Sequence, residues 1–226
     1  MGNSMKKEFQ VILEGRPGSG KSSALFHLKT GETLLTPTPG SEGFYVERAT
    51  HAGTKLNVWE VQPSSTIVKE KSWTVARALV FVVDSTKDIE EGTSAAVQPL
   101  AKHDLDEILT VLASQTPRTC FTALVLANKQ DVRGALSPAA IGQAVDISLR
   151  PDGHTWRWAV QSCSAKQGLG LKEGMDWLAT AVRGKNPSST RPKRSNPSGG
   201  TGATNEIDGL APPAAFPAMR VPISSS

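Results

Sequence analysis

Hydrophobic positions along the chain fall into short, nearly continuous runs that alternate with segments of helical spacing. Runs rich in valine, isoleucine, leucine and phenylalanine predict six strands, at residues 9–13, 44–49, 56–61, 78–83, 121–127 and 159–162. Helical spacing predicts helices over residues 21–29, 100–114 and 171–182. In the last of these, the apolar residues that recur on one face are Leu171, Met175, Leu178 and Val182.

This alternation predicts an α/β fold with a mostly parallel, six-stranded sheet and helices on both faces, because strands buried on both sides read as continuous apolar runs. Strands 44–49 and 56–61 are the exception. The connection through residues 51–54 is too short for a helix, so we expect a hairpin and one antiparallel pair at the edge of the sheet. Trp156 and Trp158 are expected to lead into the last strand and to pack in the core.

The end of the chain has a different composition. Residues 185–226 contain seven prolines, seven serines and four glycines without an apolar period, which predicts a disordered Pro/Ser/Gly-rich tail after a single domain of residues 1–184. The tail also carries most of the net charge of +4. A near-neutral domain argues against binding to nucleic acid, which requires a concentrated basic face.

Cysteine content and hydropathy bear on the compartment. Cys120 and Cys163 lie far apart in apolar surroundings, which favours neither a disulfide framework nor a metal cluster. The longest apolar run, residues 78–83, is far shorter than the ~20 residues that span a bilayer. We therefore expect a cytoplasmic protein unless the chain is attached to a membrane.

A phosphate-binding motif lies between the first predicted strand and the first predicted helix. It reads G-x-x-x-x-G-K-[ST], with the residues Gly15, Arg16, Pro17, Gly18, Ser19, Gly20, Lys21 and Ser22. The glycines let backbone N–H groups face phosphate oxygens at a helix N-terminus. Lys21 is expected to contact the β- and γ-phosphates and Ser22 to ligate Mg²⁺, with Ser23 as a further nucleotide contact.

Two polar loops after later strands indicate which base is bound. Asp131 in the run Asn128-Lys129-Gln130-Asp131 can accept two hydrogen bonds from guanine, and adenine has no such donor pair. Ser164-Ala165-Lys166 follows the last strand and can present N–H groups to the guanine oxygen. Each loop alone is also explained as an ordinary polar loop. In the order in which they follow the phosphate loop, they favour guanine.

With these motifs the chain resembles the small GTPases, and within them the ADP-ribosylation-factor-like (Arf/Arl) branch, from Lys6 to about residue 184. Further similarities are Lys6-Lys7-Glu8-Phe9, Pro37-Thr38, Gly43-Phe44-Tyr45-Val46-Glu47, Val58-Trp59-Glu60-Val61, Phe81-Val82-Val83-Asp84-Ser85 and Gly174-Met175-Asp176-Trp177-Leu178. The resemblance implies a P-loop fold and a monomeric GTP/GDP switch that uses Mg²⁺. It also implies effectors, exchange factors and GTPase-activating proteins as partners, and a role in vesicle traffic. By the same resemblance, Thr38 ligates Mg²⁺ in switch I, and Phe44 and Trp59 face effectors or, alternatively, the core of the sheet.

Switch II departs from the family pattern Trp-Asp-x-Gly-Gly-Gln. The chain has Trp59-Glu60-Val61-Gln62-Pro63-Ser64, so that Ser64 occupies the position of the water-orienting glutamine. Pro63 has no N–H to donate to a γ-phosphate. Because phosphoryl transfer depends on positioning, we expect very slow or partner-assisted hydrolysis and assign no catalytic residue. Switch I holds three extra residues before Gly43, which leaves the contact of Thr38 with the metal in question.

Three functions are compatible with these residues. The first is an Arf-like switch and the second is a nucleotide-bound module that does not cycle. The third is a P-loop nucleoside monophosphate kinase, which the absence of an arginine-rich lid disfavours. Gly2 is a candidate for myristoylation, but Lys6 stands where the acylation motif has serine or threonine. A cytoplasmic location is therefore the expectation, and weak or regulated attachment to an intracellular membrane is the alternative.

Overall fold

A computed structural model describes residues 8–34, 44–61, 66–86, 100–115, 120–145 and 155–184 of the chain. In these ranges, the six predicted strands and three predicted helices occur in the expected order, with two further helices between them. They are β1 (Glu8–Glu14), α1 (Lys21–Thr30), β2 (Phe44–His51), β3 (Thr54–Val61), α2 (Thr66–Val75), β4 (Ala78–Asp84), α3 (Leu100–Gln115), β5 (Cys120–Asn128), α4 (Pro138–Ala144), β6 (Thr155–Ser162) and α5 (Leu171–Ala181).

The strands form one six-stranded sheet in the order β2-β3-β1-β4-β5-β6. All neighbouring strands run parallel except β2 and β3, which pair antiparallel at the edge with His51 opposite Thr54. The two residues between them, Ala52 and Gly53, have φ values of 44° and 73°. Positive φ at both positions is typical of a two-residue hairpin turn whose twist matches that of its strands. The predicted fold class and its antiparallel edge are confirmed.

The structure differs from the prediction in two respects, the start of β6 and the presence of two further helices. β6 begins at Thr155, so Trp156 and Trp158 lie within this strand instead of leading into it. The helices α2 and α4 were not predicted. α4 has only seven residues, too few for an apolar period, although Ser137 caps it by accepting a hydrogen bond from the Ala140 N–H and Pro138 occupies its first turn. That Ser-Pro pair is a signal of a helix start.

The core consists of two apolar layers, one on each face of the sheet. On one face, α1 and α5 pack on alternate residues of β1 and β4; on the other, α2, α3 and α4 pack on the remaining residues. Every residue of β4 is buried as a result. Trp156 and Trp158 pack against the second layer, and the rings of Trp156 and Phe121 lie 5.2 Å apart, which confirms their predicted core role. In the described part of the chain, no helix is long and apolar enough to cross a membrane.

The β2–β3 hairpin is fastened to α5 through the carboxylate of Asp176. Its Oδ1 accepts a hydrogen bond from the Ala52 N–H at 3.1 Å and lies 3.3 Å from His51 Nδ1. Lys172 Nζ lies 2.5 Å from Oδ2 of the same carboxylate. Burial lowers the pKa of His51, and the nearby Asp176 charge opposes this effect without overcoming it.

This burial makes the stability of the fold depend on pH. A histidine with a lowered pKa binds fewer protons in the folded than in the unfolded chain, so its contribution to the free energy of unfolding falls as the pH drops through about 6.5. We expect the free energy of unfolding to decrease from pH 7.5 to pH 5.5 and the decrease to be smaller in His51→Gln. Urea denaturation across this range measures it. An equal decrease in both proteins would show that His51 is not responsible.

Candidate nucleotide-binding site

The phosphate loop curls between β1 and α1 because glycines stand at its two tightest points. Gly15 has φ 144°, and a Cβ there would lie 2.3 Å from the carbonyl oxygen of Val82 in β4. Gly20 has φ 101° at the start of α1, and a Cβ there would lie 2.2 Å from Nδ2 of Asn128. A larger residue at either position would need a shift of the neighbouring strand or loop. The fixed glycines of the motif are therefore required by geometry.

The loop presents cationic and N–H groups at one place. Lys21 Nζ donates to the carbonyl oxygens of Gly15 at 2.6 Å and Arg16 at 3.0 Å, which holds the ammonium over the loop. α1 begins there without an acidic residue in its first turn and without a side-chain cap at Gly20. A helix start of this kind favours an anion such as phosphate. Arg16 points elsewhere, since its guanidinium pairs with Asp104 of α3 at 3.3 Å.

Oxygen ligands for a cation meet beside the loop. The Ser22 hydroxyl donates a hydrogen bond of 2.7 Å to Oε1 of Glu60, which is buried near the end of β3. Glutamate replaces the aspartate of the family pattern, and its longer side chain still reaches the serine. In the described residues, no three histidine, cysteine or acidic side chains form a metal cluster. The pair fits Mg²⁺, which is usually held by one or two carboxylates, waters and phosphate oxygens.

Asn128, at the end of β5, connects the phosphate loop to the loop after β6. Its Nδ2 donates to the Ser19 carbonyl at 2.7 Å, and its Oδ1 accepts from the Ala165 N–H at 2.8 Å. The Cys163 thiol lies 3.7 Å from the same Oδ1. Burial, with a smaller contribution from the Asp131 charge, raises the pKa of Cys163 to about 12, so the thiol stays protonated. One buried amide at the end of β5 thus joins the loops that follow β1 and β6.

The Asn128–Asp131 segment is held by the end of β4. Lys129 Nζ lies 2.5 Å from Oδ2 of Asp84. Burial raises the pKa of Asp84, but hydrogen bonds from Lys129 and Thr86 outweigh it and leave the pKa below its ordinary value. Gln130 Nε2 donates to Ser85 Oγ and to the Leu136 carbonyl, each at 2.9 Å. Sequence reasoning did not assign Asp84 or Ser85 to the site, although both follow a strand at the edge where ligands bind.

The loop after β6 closes the base side of the site. Ser164 Oγ donates to Oδ1 of Asp131 at 2.7 Å and accepts from the Gln167 N–H at 3.1 Å. Asp131 itself is exposed, so its carboxylate is accessible to a ligand. Ala165 is buried beneath the loop, whereas Lys166 is exposed. The Asp131 carboxylate and the backbone of the loop after β6 thus lie side by side at this edge of the sheet.

Most of the predicted site residues come together in this way. The phosphate loop, the Asn128–Asp131 segment and the loop after β6 all lie at the carboxyl ends of parallel strands, as expected. The Trp59 indole N–H donates to Gln10 on β1 at 2.8 Å, and its side chain is half-buried. Phe44 begins β2, with its side chain outside the described part. The other predicted positions lie outside the described residues: Gly2, Thr38, Gln62, Pro63, Ser64 and the tail 185–226.

Removing the Asn128 side-chain amide should loosen the loops after β1 and β6 together. In Asn128→Ala, the Ser19 carbonyl and the Ala165 N–H lose their partner in a buried environment, which costs about 1–3 kcal/mol for each buried group. We expect the free energy of unfolding to fall by about 2–4 kcal/mol in urea denaturation. Gln143→Ala, at an exposed position of α4, is the control and should change it by less than about 0.5 kcal/mol. Equal effects in the two variants would contradict the role of Asn128.

Comparison with known proteins identifies the family of the chain. The model of the ADP-ribosylation factor family matches residues 1–182. The chain is 34% identical to ADP-ribosylation factor K of Dictyostelium discoideum over 80% of its length and 88% of that protein's. It is 32% identical to ADP-ribosylation factor-like protein 3 of Chlamydomonas reinhardtii, over 78% and 92% of the two chains.

A solved structure has the same fold. It is the Arl6 BBS3 small GTPase from Trypanosoma brucei with bound nucleotide analogue GppNp, which superposes with a TM-score of 0.60 at 19% identity over 80% of this chain and 100% of that one. The two relatives, the match to the family model and the shared fold lead to one conclusion: this chain belongs to the ADP-ribosylation factor family of small GTPases.

Proposed function

We propose that this chain is an Arf-like molecular switch that binds GTP and GDP with Mg²⁺ and hydrolyses GTP very slowly unless a partner assists. The observation that carries the proposal is the bridge made by Asn128 between the phosphate loop and the loop after β6. It holds a phosphate-binding end and a base-binding end in one pocket. Membership of the family supports guanine-nucleotide binding and sets aside the nucleoside monophosphate kinase.

Guanine selectivity is assigned to Asp131. Its carboxylate is exposed beside the base-binding loop and is oriented by the Ser164 hydroxyl. A carboxylate can accept hydrogen bonds from the ring N–H and the amino group of guanine together, and charge-assisted bonds of this kind are the stronger ones. Adenine presents no such pair of donors. The pocket is therefore expected to reject adenine nucleotides.

Mg²⁺ is assigned to the pair Ser22 and Glu60, with phosphate oxygens completing its coordination. When bound, the ion neutralises charge on the β- and γ-phosphates. Lys21 supplies the neighbouring positive charge from the other side of the loop. Thr38 is the further ligand that the family resemblance implies, and its contact with the ion belongs to the proposal.

Slow hydrolysis follows from the sequence of switch II. Pro63 removes the backbone N–H that would contact the γ-phosphate, and Ser64 is shorter than the glutamine that orients water in the family. The same two residues favour the second candidate function, a nucleotide-bound interaction module that does not cycle. The two functions differ in whether phosphate is ever released.

Cellular partners are proposed from the family alone. They are effector proteins, an exchange factor and a GTPase-activating protein, and the setting is the cytoplasm with intracellular membrane traffic. Membrane attachment through Gly2 would be weak, since one myristoyl chain binds only marginally and Lys6 departs from the acylation motif. Mass spectrometry of the native N-terminus decides this point: an unmodified terminus excludes acylation at Gly2.

Exchanging the base-selecting carboxylate for an amide should change the preferred base. In Asp131→Asn, the side chain can donate to the 2-oxygen of xanthine but no longer accepts two charge-assisted bonds from guanine. We expect GDP affinity to fall at least about 100-fold while the affinity for xanthosine diphosphate rises, as measured by competition with a fluorescent nucleotide. Asp106→Asn, on α3, is the matched control. Unchanged GDP affinity in Asp131→Asn would remove the assignment of this residue.

Single-turnover hydrolysis separates the switch from the module. The chain loaded with GTP and Mg²⁺ should release phosphate very slowly alone and faster with an activating cell extract. The double variant Pro63→Gly, Ser64→Gln restores both family residues and is expected to hydrolyse GTP at least about 10-fold faster than the natural chain, because it regains a water-orienting group. If the natural chain releases no phosphate either alone or with the extract, it is a module that does not cycle.

A further inference from the structure

The loop that closes the base side of the pocket, residues 163–170, is held from two directions. Asn128 and Asp131 hold it from the β5 side, as the family motif leads one to expect. The opposite side rests on α1 and on the residues that follow this helix. No motif in the sequence indicates these second contacts.

The first of them is a hydrogen bond from Thr33. Its hydroxyl donates to the carbonyl oxygen of Lys166 at 2.6 Å, between residues 133 positions apart in the chain. Thr33 follows the glycine that ends α1, Gly31, and precedes the predicted switch I residue Thr38 by five positions. The bond therefore connects the segment that follows α1 directly to the backbone of the loop after β6.

The second contact is the packing of His27 against Gly168. A Cβ at Gly168 would lie 1.8 Å from Nε2 of the His27 ring, so the ring occupies the space that a side chain there would need. Gly168 also has φ 73°, which few other residues adopt readily. The loop can approach α1 this closely because residue 168 is glycine.

We propose that Thr33 and His27 are positioning residues for the guanine base, and that their grip on residues 163–170 sets the rate at which nucleotide leaves. This inference rests on the proposed function. The Asp131 carboxylate, which Ser164 of this loop orients, can hold the base only while the loop stays in place. Local opening of such a loop has its own free energy, which the contacts of Thr33 and His27 increase. Neither residue touches the phosphates in this account.

Nucleotide dissociation from the full chain tests the proposal. Fluorescent GDP is displaced with excess GDP, with Mg²⁺ present and after its chelation. Thr33→Val should release GDP about 3- to 10-fold faster, the factor that corresponds to loss of one hydrogen bond. Thr33→Ser keeps the hydroxyl and should release it at the natural rate. The increase should be the same for a non-hydrolysable GTP analogue and with or without Mg²⁺, because the contact acts on the base.

Thr110→Val is the matched control. It removes a similar bond, from a threonine hydroxyl to the Asp106 carbonyl at 2.7 Å, in α3. The natural release rate in this variant, with faster release in Thr33→Val, supports the proposal. The proposal is overturned if Thr33→Val releases GDP at the natural rate. It is also overturned if Thr110→Val speeds release as much as Thr33→Val, or if Thr33→Ser releases GDP as fast as Thr33→Val.

A second variant examines the histidine contact. Gly168→Ala places a methyl group against the His27 ring and should speed release more than Thr33→Val, whereas a natural rate in Gly168→Ala would contradict the role of His27. If the natural chain retains no guanine nucleotide, the proposed function itself is wrong. If the natural chain retains GDP and Thr33→Val releases it at the natural rate, only this inference is wrong.

Discussion

A single buried side-chain amide organises the pocket of this protein. Asn128 donates to the Ser19 carbonyl and accepts from the Ala165 N–H, so one residue at the end of β5 fixes the loops that follow β1 and β6. The approach is so close that a Cβ at Gly20 would lie 2.2 Å from its Nδ2. Buried polar groups must find partners, and here each partner belongs to a different part of the nucleotide site. The alignment of the phosphate and base ends of the pocket depends on this residue.

The parallel sheet is what allows one residue to reach so many loops. Because β1, β4, β5 and β6 run in the same direction, their carboxyl ends meet at one edge, and the chemistry lies in the loops of that edge. Asp84 and Ser85 at the end of β4 support Lys129 and Gln130 in the same region. Polar groups at the end of β4 thus hold the segment that contains the predicted base-binding residues.

Much of this arrangement could be predicted from local sequence. β4 is predictable because both of its faces are buried, which gives an uninterrupted apolar run in the sequence. The phosphate loop is predictable because its glycines and Lys21 have a fixed spacing. The short helix α4 was missed because seven residues hold too few apolar positions for a period. β6 was predicted too short because polar and aromatic residues alternate at its start. The contacts of Arg16 with Asp104 and Thr33 with Lys166 join residues 88 and 133 positions apart, which local pattern does not encode.

The departures in switch II concern the proposed slow hydrolysis. Pro63 and Ser64 replace the family residues that act on a γ-phosphate, whereas the described contacts of Asn128 with the loops after β1 and β6 lie in other segments. The proposed slow hydrolysis is therefore compatible with nucleotide binding. The net charge of +4 is no guide to what the domain binds, since most of this charge lies after residue 184.

The most direct test of this account is the identity of the nucleotide that the full chain retains. The protein is purified with Mg²⁺, denatured, and the released nucleotides are separated by ion-exchange chromatography. The account predicts a guanine nucleotide close to one equivalent per chain and, in Asn128→Ala, much less. Retention of an adenine nucleotide, or of none even after incubation with GDP and GTP, would contradict it.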